Sequence, residues 1–265
     1  MDALITTDAE PRRMPAAVDA VRWPASDPPR LRLFCLPHAG GGAVTYRLWA
    51  RHLGPDVEVV SIRLPGRETR HRQAPARRID QLVPALTRTL AAGTDLPYAV
   101  FGHSLGALLA FETCRELARL DLAQPVRLLV SGRPGPHLVP RLAPIHDASD
   151  RRLCERLREM GGTPEEVLQD QDVMSNLLRV LRADLEVAET YRCLPAPPLD
   201  IPISVFGGAG DRFVPTGDLG AWAEHSKVGC RVRVYEGSHF YLHEDPAPIL
   251  RDIATDLSEF CPSPR

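Results

Sequence analysis

The most constraining feature of the chain is a serine framed by two glycines, where an apolar stretch passes into a helical one. Residues 98–102 (YAVFG) have the continuous apolar character of a buried strand, and residues 105–120 have helical spacing of their apolar side chains. Between them, "GHSLG" at 102–106 fits the pattern G-x-S-x-G, with Ser104 at its centre. The flanking glycines permit a very sharp strand-to-helix turn, because they remove the side chains that would clash there. The pattern therefore predicts that Ser104 is a nucleophile exposed at the N-terminus of a helix.

A serine nucleophile needs a base, and the base needs an orienting carboxylate. Asp211 follows an apolar strand-like stretch in "FGGAGDRFVP", and His239 follows the next such stretch in "YEGSHF". Both therefore fall at the carboxyl ends of predicted strands, where open α/β sheets build their sites, and the order serine, acid, histidine is that of α/β-hydrolases. We predict a triad of Ser104, Asp211 and His239. The weaker alternatives are His103, His225 and His243 for the base, and Asp147, Asp184 and Asp218 for the acid.

Strand-like and helix-like segments alternate along most of the chain. This alternation predicts an α/β fold with a mostly parallel, doubly wound sheet. The predicted strands are 31–36, 57–64, 98–102, 126–131, 201–207 and 231–236, and the predicted helices between them are 44–53, 79–92, 105–120, 216–226 and 246–259.

The stretch 134–198 breaks the alternation, because it contains helical patterns at 149–160 and 172–193 but no strand candidate. We interpret it as a helical insertion that forms a mobile lid above the sheet, with ordinary packing helices as the alternative. Residues 1–28 are rich in proline, alanine and charge, and they are predicted to form a flexible N-terminal arm. Residues 29–260 then form one α/β domain.

A glycine turn at 40–42 follows the first predicted strand in "LFCLPHAGGGAVTYRLW". A strand, a glycine turn and a helix together can form a cradle for a nucleotide phosphate. This stretch lacks G-x-x-x-x-G-K-[ST], and Thr45 occupies the place of the last glycine in G-x-G-x-x-G. The sequence therefore argues against a nucleotide site at this turn.

Five motifs together resemble the type II, or editing, thioesterases of polyketide and nonribosomal peptide synthesis, which belong to the α/β-hydrolase superfamily. They are "LFCLPHAGG", "LPGRE", "FGHSLGALLAFE", "GDRFVP" and "GSHFYL", and the resemblance covers about residues 30–258. It implies an α/β-hydrolase fold with a helical lid. It also implies hydrolysis of acyl groups from the phosphopantetheine arm of acyl or peptidyl carrier proteins, which clears mis-primed or stalled units from a synthase.

The same resemblance assigns roles to individual residues. It implies that Ser104 is the nucleophile, Asp211 the orienting acid and His239 the base. The backbone N–H groups of Ala39 and Leu105 are the implied oxyanion donors. The implied chemistry needs no cofactor and no metal.

The overall composition gives no indication of binding to nucleic acid or to a membrane. A formal net charge of −2 gives no global attraction to nucleic acid or to an anionic membrane, and no run approaches the roughly 18 apolar residues of a membrane helix. Residues 1–28 lack the apolar core of a signal peptide. The six scattered cysteines predict free thiols in a reducing cytoplasm, and we expect a monomer.

An arginine-rich stretch at 62–78 allows two interpretations. It contains Arg63, Arg67, Arg70, Arg72, Arg77 and Arg78. Carrier proteins are typically acidic, so the stretch could dock a carrier. The alternative, which we favour for most of these arginines, is a solvated basic loop.

Two other functional classes are compatible with parts of the sequence. A triad alone also suits a general serine esterase that acts on small esters or on acyl-CoA. A non-catalytic binding module on a hydrolase scaffold is the third hypothesis, and an intact set of serine, acid and histidine argues against it.

Overall fold

The computed structural model describes residues 18–23, 29–139 and 141–260, which build a seven-stranded sheet covered on both faces by helices. The strands are β1 (Asp19–Trp23), β2 (Leu31–Leu36), β3 (Val57–Arg63), β4 (Tyr98–His103), β5 (Arg127–Ser131), β6 (Ile203–Gly208) and β7 (Cys230–Tyr235). Their order across the sheet is β1-β3-β2-β4-β5-β6-β7, and every neighbouring pair is parallel except β1 with β3.

Seven α-helices accompany the strands within the described residues. They are α1 (Val83–Ala91), α2 (Leu105–Arg119), α3 (Asp150–Met160), α4 (Glu165–Gln169), α5 (Gln171–Thr190), α6 (Tyr241–Glu244) and α7 (Pro246–Ser258).

The central strands are apolar on both faces because helices cover both sides of the sheet. In β2, Phe34 and Leu36 pack into the core formed with α1 and α2, whereas Leu33 and Cys35 pack on the opposite face with α7. The predicted α/β fold with a mostly parallel, doubly wound sheet is therefore confirmed. All six predicted strands are present with ends within two residues of the prediction.

The prediction that residues 1–28 form a loose arm is wrong for residues 19–23, which form β1. This strand pairs antiparallel with β3, and Asp19 lies opposite Arg63 and forms an ion pair with it at 3.1 Å. The indole Nε1 of Trp23 donates a hydrogen bond to Ser61 Oγ at 2.8 Å. The sequence did not reveal β1 because an edge strand has largely exposed side chains and shows no apolar run. Residues 1–17 and 24–28 lie outside the described residues.

Two predicted helices form as 3₁₀ helices instead of α-helices. The segment 44–53 becomes two short turns, Ala43–Tyr46 and Trp49–Arg51, and the segment 216–226 becomes the 3₁₀ helix Thr216–His225. Two glycines, at 217 and 220, disfavour α-helix in the second segment. The predicted helix 79–92 likewise begins with a 3₁₀ turn before α1.

The segment between β5 and β6 contains α3, α4 and α5 and, in its described residues, no strand. These helices have a small apolar core of their own, formed by Ile145, Leu153, Leu157, Leu168, Met174, Leu178 and Leu181. Residues of α3 and α5 line the cavity that contains Ser104, so this insertion lies over the carboxyl end of the sheet. No helix in the described part of the chain has the length and apolar character needed to cross a membrane.

Candidate active site

Ser104 occupies a strained turn between β4 and α2. Its backbone has φ 55° and ψ −112°, in a region that residues other than glycine rarely adopt. The N–H of Ser104 donates to the carbonyl of Ser131 at 2.8 Å, which ties the turn to the end of β5. Strain of this kind persists where the surrounding structure enforces it, often at functional sites. Its presence at the predicted nucleophile matches the sharp turn that the sequence pattern requires.

The two glycines of the pattern are needed for steric reasons. A Cβ atom added to Gly102 would lie 2.0 Å from the carbonyl oxygen of Gly106. A Cβ added to Gly106 would lie 2.3 Å from the carbonyl oxygen of Leu36, at the end of β2. Gly106 therefore lets α2 approach the loop that follows β2, and that loop carries Ala39.

His239 and Asp211 form the hydrogen-bonded pair that the sequence predicts. His239 Nδ1 lies 2.7 Å from Asp211 Oδ2, and both side chains are almost fully buried. The other carboxylate oxygen, Oδ1, accepts the backbone N–H groups of Phe213 at 2.8 Å and Val214 at 3.2 Å. Asp211 is thereby fixed by its own loop and holds the imidazole so that Nε2 is its free nitrogen.

Ser104 and His239 line the same cavity, but no hydrogen bond joins them in this structure. Within the described residues, His239 Nε2 is buried and has no hydrogen-bond partner. Nucleophile–base contacts often lengthen in structures without substrate and shorten in the reacting complex. The geometry supplies an oriented imidazole with an available nitrogen in the serine's own cavity.

The two residues whose backbone N–H groups are expected to bind an oxyanion, Ala39 and Leu105, also line this cavity. Leu105 is the first residue of α2, so its N–H has no acceptor within the helix. Ala39 lies in the loop after β2 and faces the same cavity as Ser104. The next residue, Gly40, has φ 76°, a conformation that glycine adopts without strain.

A buried ion pair that we did not predict from the sequence anchors this loop to the insertion. Asp184 on α5 accepts the N–H of Gly40 at 2.8 Å through Oδ2 and pairs with Arg67 Nη2 at 2.8 Å through Oδ1. Arg67 Nη1 in turn donates to the carbonyl of Gly41 at 2.8 Å. A signal was present, because Arg67 belongs to the "LPGRE" motif and Asp184 is an acidic residue among apolar neighbours on its helix.

The alternative triad residues have other contacts. His103 is buried and its Nδ1 lies 2.9 Å from Ser131 Oγ. The ring of His243 stacks on Phe240, with centroids 5.3 Å apart. The remaining alternatives have other partners or are exposed: His225 pairs with His137, Asp184 pairs with Arg67, and Asp147 is exposed. Asp218 lines the cavity but pairs with Arg141.

Three further imidazoles, those of His38, His103 and His243, lie close to His239 or to one another, and burial lowers the pKa of each. The ring centroid of His103 lies 4.9 Å from that of His239 and 6.1 Å from that of His38. Burial lowers the pKa of His38 to about 3, with smaller contributions from His243, His239 and Arg67. Burial likewise lowers the pKa of His103 well below its ordinary value.

These lowered pKa values predict a protein that loses stability in mild acid. Between pH 6.5 and the folded-state pKa, the unfolded chain binds protons at His38 and His103 that the folded chain does not. Stability therefore falls as pH drops below about 6.5, by up to about 1.4 kcal/mol per pH unit for each group, and is flat with respect to them above it. Urea unfolding at pH 7.5 and pH 5.0 measures the difference.

Single substitutions identify which histidine causes the loss of stability in mild acid. His38→Gln should lose clearly less stability than the parent between pH 7.5 and pH 5.0, because one of the two groups no longer titrates on unfolding. The exposed His52→Gln variant is the control and should keep the parent's pH dependence. Equal pH dependence in the parent and in His38→Gln would exclude His38 as a source of the effect.

Most arginines of the stretch 62–78 are engaged within the protein. Arg63 pairs with Asp19 and Glu68, Arg67 with Asp184, Arg77 with Glu186, and Arg78 with Asp80, while Arg70 bonds to Gln73 and to the Arg63 carbonyl. Among the described residues, Arg72 alone of the six has no hydrogen bond or ion pair and is exposed. The stretch therefore braces the fold and offers little free positive charge for docking.

The fold and this arrangement of residues define an α/β serine hydrolase. Ser104 follows the carboxyl end of β4, and Asp211 and His239 follow those of the adjacent strands β6 and β7, with β5 between the two groups. Ser104 and His239 line the cavity under the helical insertion. No cluster of three or more histidine, cysteine or acidic side chains in the described ranges could hold a metal ion.

Comparison with known proteins narrows the class: the chain belongs to the thioesterase domain family, which it matches over residues 31–257. The gramicidin S biosynthesis protein GrsT of Aneurinibacillus migulanus is 40% identical over 86% of this chain and 89% of that protein. The thioesterase PikA5 of Streptomyces venezuelae is 36% identical over 86% of this chain and 81% of its own length.

A solved thioesterase structure also matches the fold of this chain. BorB, the type II thioesterase from the borrelidin biosynthetic cluster, matches this fold with a TM-score of 0.83 at 37% identity, over 90% of this chain and 97% of BorB. The resemblance to type II thioesterases and the assignment of the chain as a thioester hydrolase are therefore confirmed.

Proposed function

We propose that this thioesterase hydrolyses acyl groups from the phosphopantetheine arm of carrier proteins and so clears aberrant or stalled units from a polyketide or nonribosomal peptide synthase. The observation that carries the proposal is the shared cavity of Ser104 and His239 beneath the helical insertion, in a chain similar to GrsT, PikA5 and BorB. A long, thin acyl-pantetheine thioester suits a reactive serine at the bottom of a covered cavity.

Acylation begins with the Ser104 hydroxyl, which is neutral and therefore a weak nucleophile until a base removes its proton. As the hydroxyl attacks the thioester carbonyl, His239 Nε2 removes its proton and becomes part of an imidazolium. Asp211 stabilises this cation through its 2.7 Å bond to Nδ1 and keeps the ring oriented. The backbone N–H groups of Phe213 and Val214 donate to the other oxygen of this carboxylate and fix its position.

The carbonyl oxygen becomes negative in the tetrahedral intermediate. We assign its stabilisation to the backbone N–H groups of Leu105 and Ala39, one at the start of α2 and one in the loop after β2. Each such donor contributes about 3 kcal/mol to lowering the barrier in hydrolases of this kind. When the intermediate collapses, the C–S bond breaks and His239 gives its proton to the leaving pantetheine thiolate.

Deacylation repeats the chemistry with water in place of serine. His239 Nε2 takes a proton from water as the oxygen attacks the acyl-serine carbonyl, and the same two N–H groups receive the oxyanion. The C–O bond to Ser104 then breaks, and the proton returns from His239 to the serine oxygen. The products are a free carboxylic acid and the unmodified enzyme.

The preference for carrier-bound thioesters distinguishes this function from that of a general esterase. We expect kcat/KM to be at least about tenfold higher for an acyl group on a holo-carrier protein than for the same acyl group on coenzyme A, because contacts remote from the reacting bond can be used to lower the barrier. Purified enzyme should be compared on butyryl-carrier protein, butyryl-coenzyme A and p-nitrophenyl butyrate.

The outcomes separate the competing hypotheses. A marked preference for p-nitrophenyl butyrate would support the general esterase and overturn the carrier-protein proposal. Failure of a fluorophosphonate probe to label Ser104 would support the non-catalytic binding module. Within the described stretch 62–78, Arg72 is exposed and without an ion pair, so it is the arginine to test for carrier docking. The cytoplasmic location and the monomeric state stay predictions from the sequence.

A further inference from the structure

The cavity of Ser104 and His239 is lined by an arginine, Arg133, that forms no ion pair with a carboxylate within the described residues. Arg133 follows the end of β5 by two residues, after Gly132 at φ 58°. Its backbone carbonyl accepts the indole N–H of Trp222 at 2.9 Å, which fixes the residue independently of its side chain. The side chain is half-buried in the wall of the cavity.

The guanidinium of Arg133 makes a single hydrogen bond within the described residues, from Nη2 to the carbonyl of Ala188 at 3.3 Å. Glu189, beside Ala188, also lines the cavity, and its charge attracts the Arg133 guanidinium without forming an ion pair with it. Its carboxylate instead accepts the backbone N–H groups of Ile145 and His146 and lies 2.7 Å from the His146 ring. The guanidinium of Arg133 therefore keeps unused N–H donors at the wall of the cavity.

The other two arginines that line the cavity each pair with a carboxylate, so the lack of an ion pair is specific to Arg133 among them. Arg141 pairs with Asp218 at 2.7 Å, and Arg156 bonds to Glu159 at 3.0 Å while lying over an aromatic ring. Both therefore have their charge balanced by a neighbouring carboxylate.

Burial lowers the pKa of the Arg133 guanidinium from its ordinary value to about 10, so the group stays charged near neutral pH. A partly buried charge with unused donors favours a ligand that brings an oxygen acceptor, and it disfavours a second positive charge nearby. Charge-assisted hydrogen bonds are about twice as strong as neutral ones.

We propose that Arg133 determines acyl specificity: it favours acyl groups that carry a hydroxyl, keto or carboxylate oxygen and rejects α-aminoacyl groups, whose ammonium it repels. This inference rests on the proposed hydrolysis of carrier-bound acyl groups and names the substrate class of that same cavity. The enzyme accordingly clears polyketide-type acyl units and leaves charged aminoacyl units in place.

Three acyl groups of nearly equal size test the proposal. Propionyl, lactoyl and alanyl differ only in whether the α-carbon bears hydrogen, hydroxyl or ammonium, and each can be loaded on one carrier protein. At pH 7.0, where an α-amino group is largely protonated, we expect kcat/KM for alanyl to be at least about tenfold below that for lactoyl. Lactoyl should match or exceed propionyl.

Substitutions assign the discrimination to the side chain. Arg133→Met keeps the length of the stem but removes the charge, and it should bring alanyl and lactoyl within about threefold of each other, whereas Arg133→Lys should keep the order. Arg51→Met removes an exposed arginine that does not line the cavity and should leave the lactoyl-to-alanyl ratio unchanged. Thermal unfolding of each variant checks that the fold is intact.

Failure of this inference is distinguishable from failure of the proposed function. If the parent enzyme releases all three acyl groups at similar rates, or if Arg133→Met lowers all three equally, the specificity proposal is overturned while carrier-bound hydrolysis stands. If none of the three is released from the carrier protein, the proposed function itself is wrong.

Discussion

Replacement of Ser104 by alanine is expected to lower kcat for acyl release from a carrier protein by about a millionfold, to the background left by binding and oxyanion contacts. The hydroxyl is the atom that forms the acyl-enzyme, and Ser104 lines the cavity beside an oriented imidazole. Single-turnover release of a radiolabelled acyl group, followed over hours, has the range to measure so large a loss.

A neighbouring serine provides the control for this experiment. Ser238 precedes His239, and its hydroxyl bonds to Glu244, away from the Asp211–His239 pair. Ser238→Ala should keep kcat within about threefold of the parent, because removing a contact outside the reacting set has little effect on the barrier. A Ser104→Ala enzyme with more than a few per cent of the parent activity would show that another group is the nucleophile.

The positions of the predicted triad residues could be read from the sequence because each depends on a local pattern. A glycine-framed serine must occupy a sharp turn, and Asp211 and His239 follow directly after apolar strands. Parallel strands bring their carboxyl ends to one edge of a sheet, so the strand order assembles the three residues. The observed bond between Asp211 and His239 is the part of this geometry that the structure shows directly.

Features that depend on distant contacts could not be predicted in the same way. Arg67 and Asp184 are 117 positions apart, and nothing in either local sequence pairs them. That Arg133 forms only one hydrogen bond and no ion pair among the described residues is evident only when its surroundings are known. The edge strand β1 is specified by its cross-strand partners on β3, because its own side chains are mostly exposed.

The loop after β2 connects three separate parts of the molecule. Its start packs against Gly106 of α2, while Gly40 and Gly41 bond to Asp184 and Arg67. The Arg67–Asp184 pair therefore joins the insertion to the loop that carries Ala39.

Breaking this buried pair should strongly destabilise the protein. Asp184→Asn is expected to lower the free energy of unfolding by about 3 kcal/mol or more, because it leaves the buried guanidinium of Arg67 without a counter-charge. For a domain of this size, that loss corresponds to a fall in Tm of about 10 °C. Urea unfolding at pH 7.5 and differential scanning calorimetry both measure it.

An exposed ion pair between the arginine-rich stretch 62–78 and α5 is the matched control. Arg77 pairs with Glu186, two positions along α5 from Asp184, but Arg77 is 59% exposed at its side chain, so Glu186→Gln should cost less than about 1 kcal/mol. The double variant Arg67→Met/Asp184→Asn should be more stable than the sum of its single variants predicts, since neither charge is then left buried alone. Additive effects, or equal losses from Asp184→Asn and Glu186→Gln, would mean that the buried pair does not hold the insertion to the loop after β2.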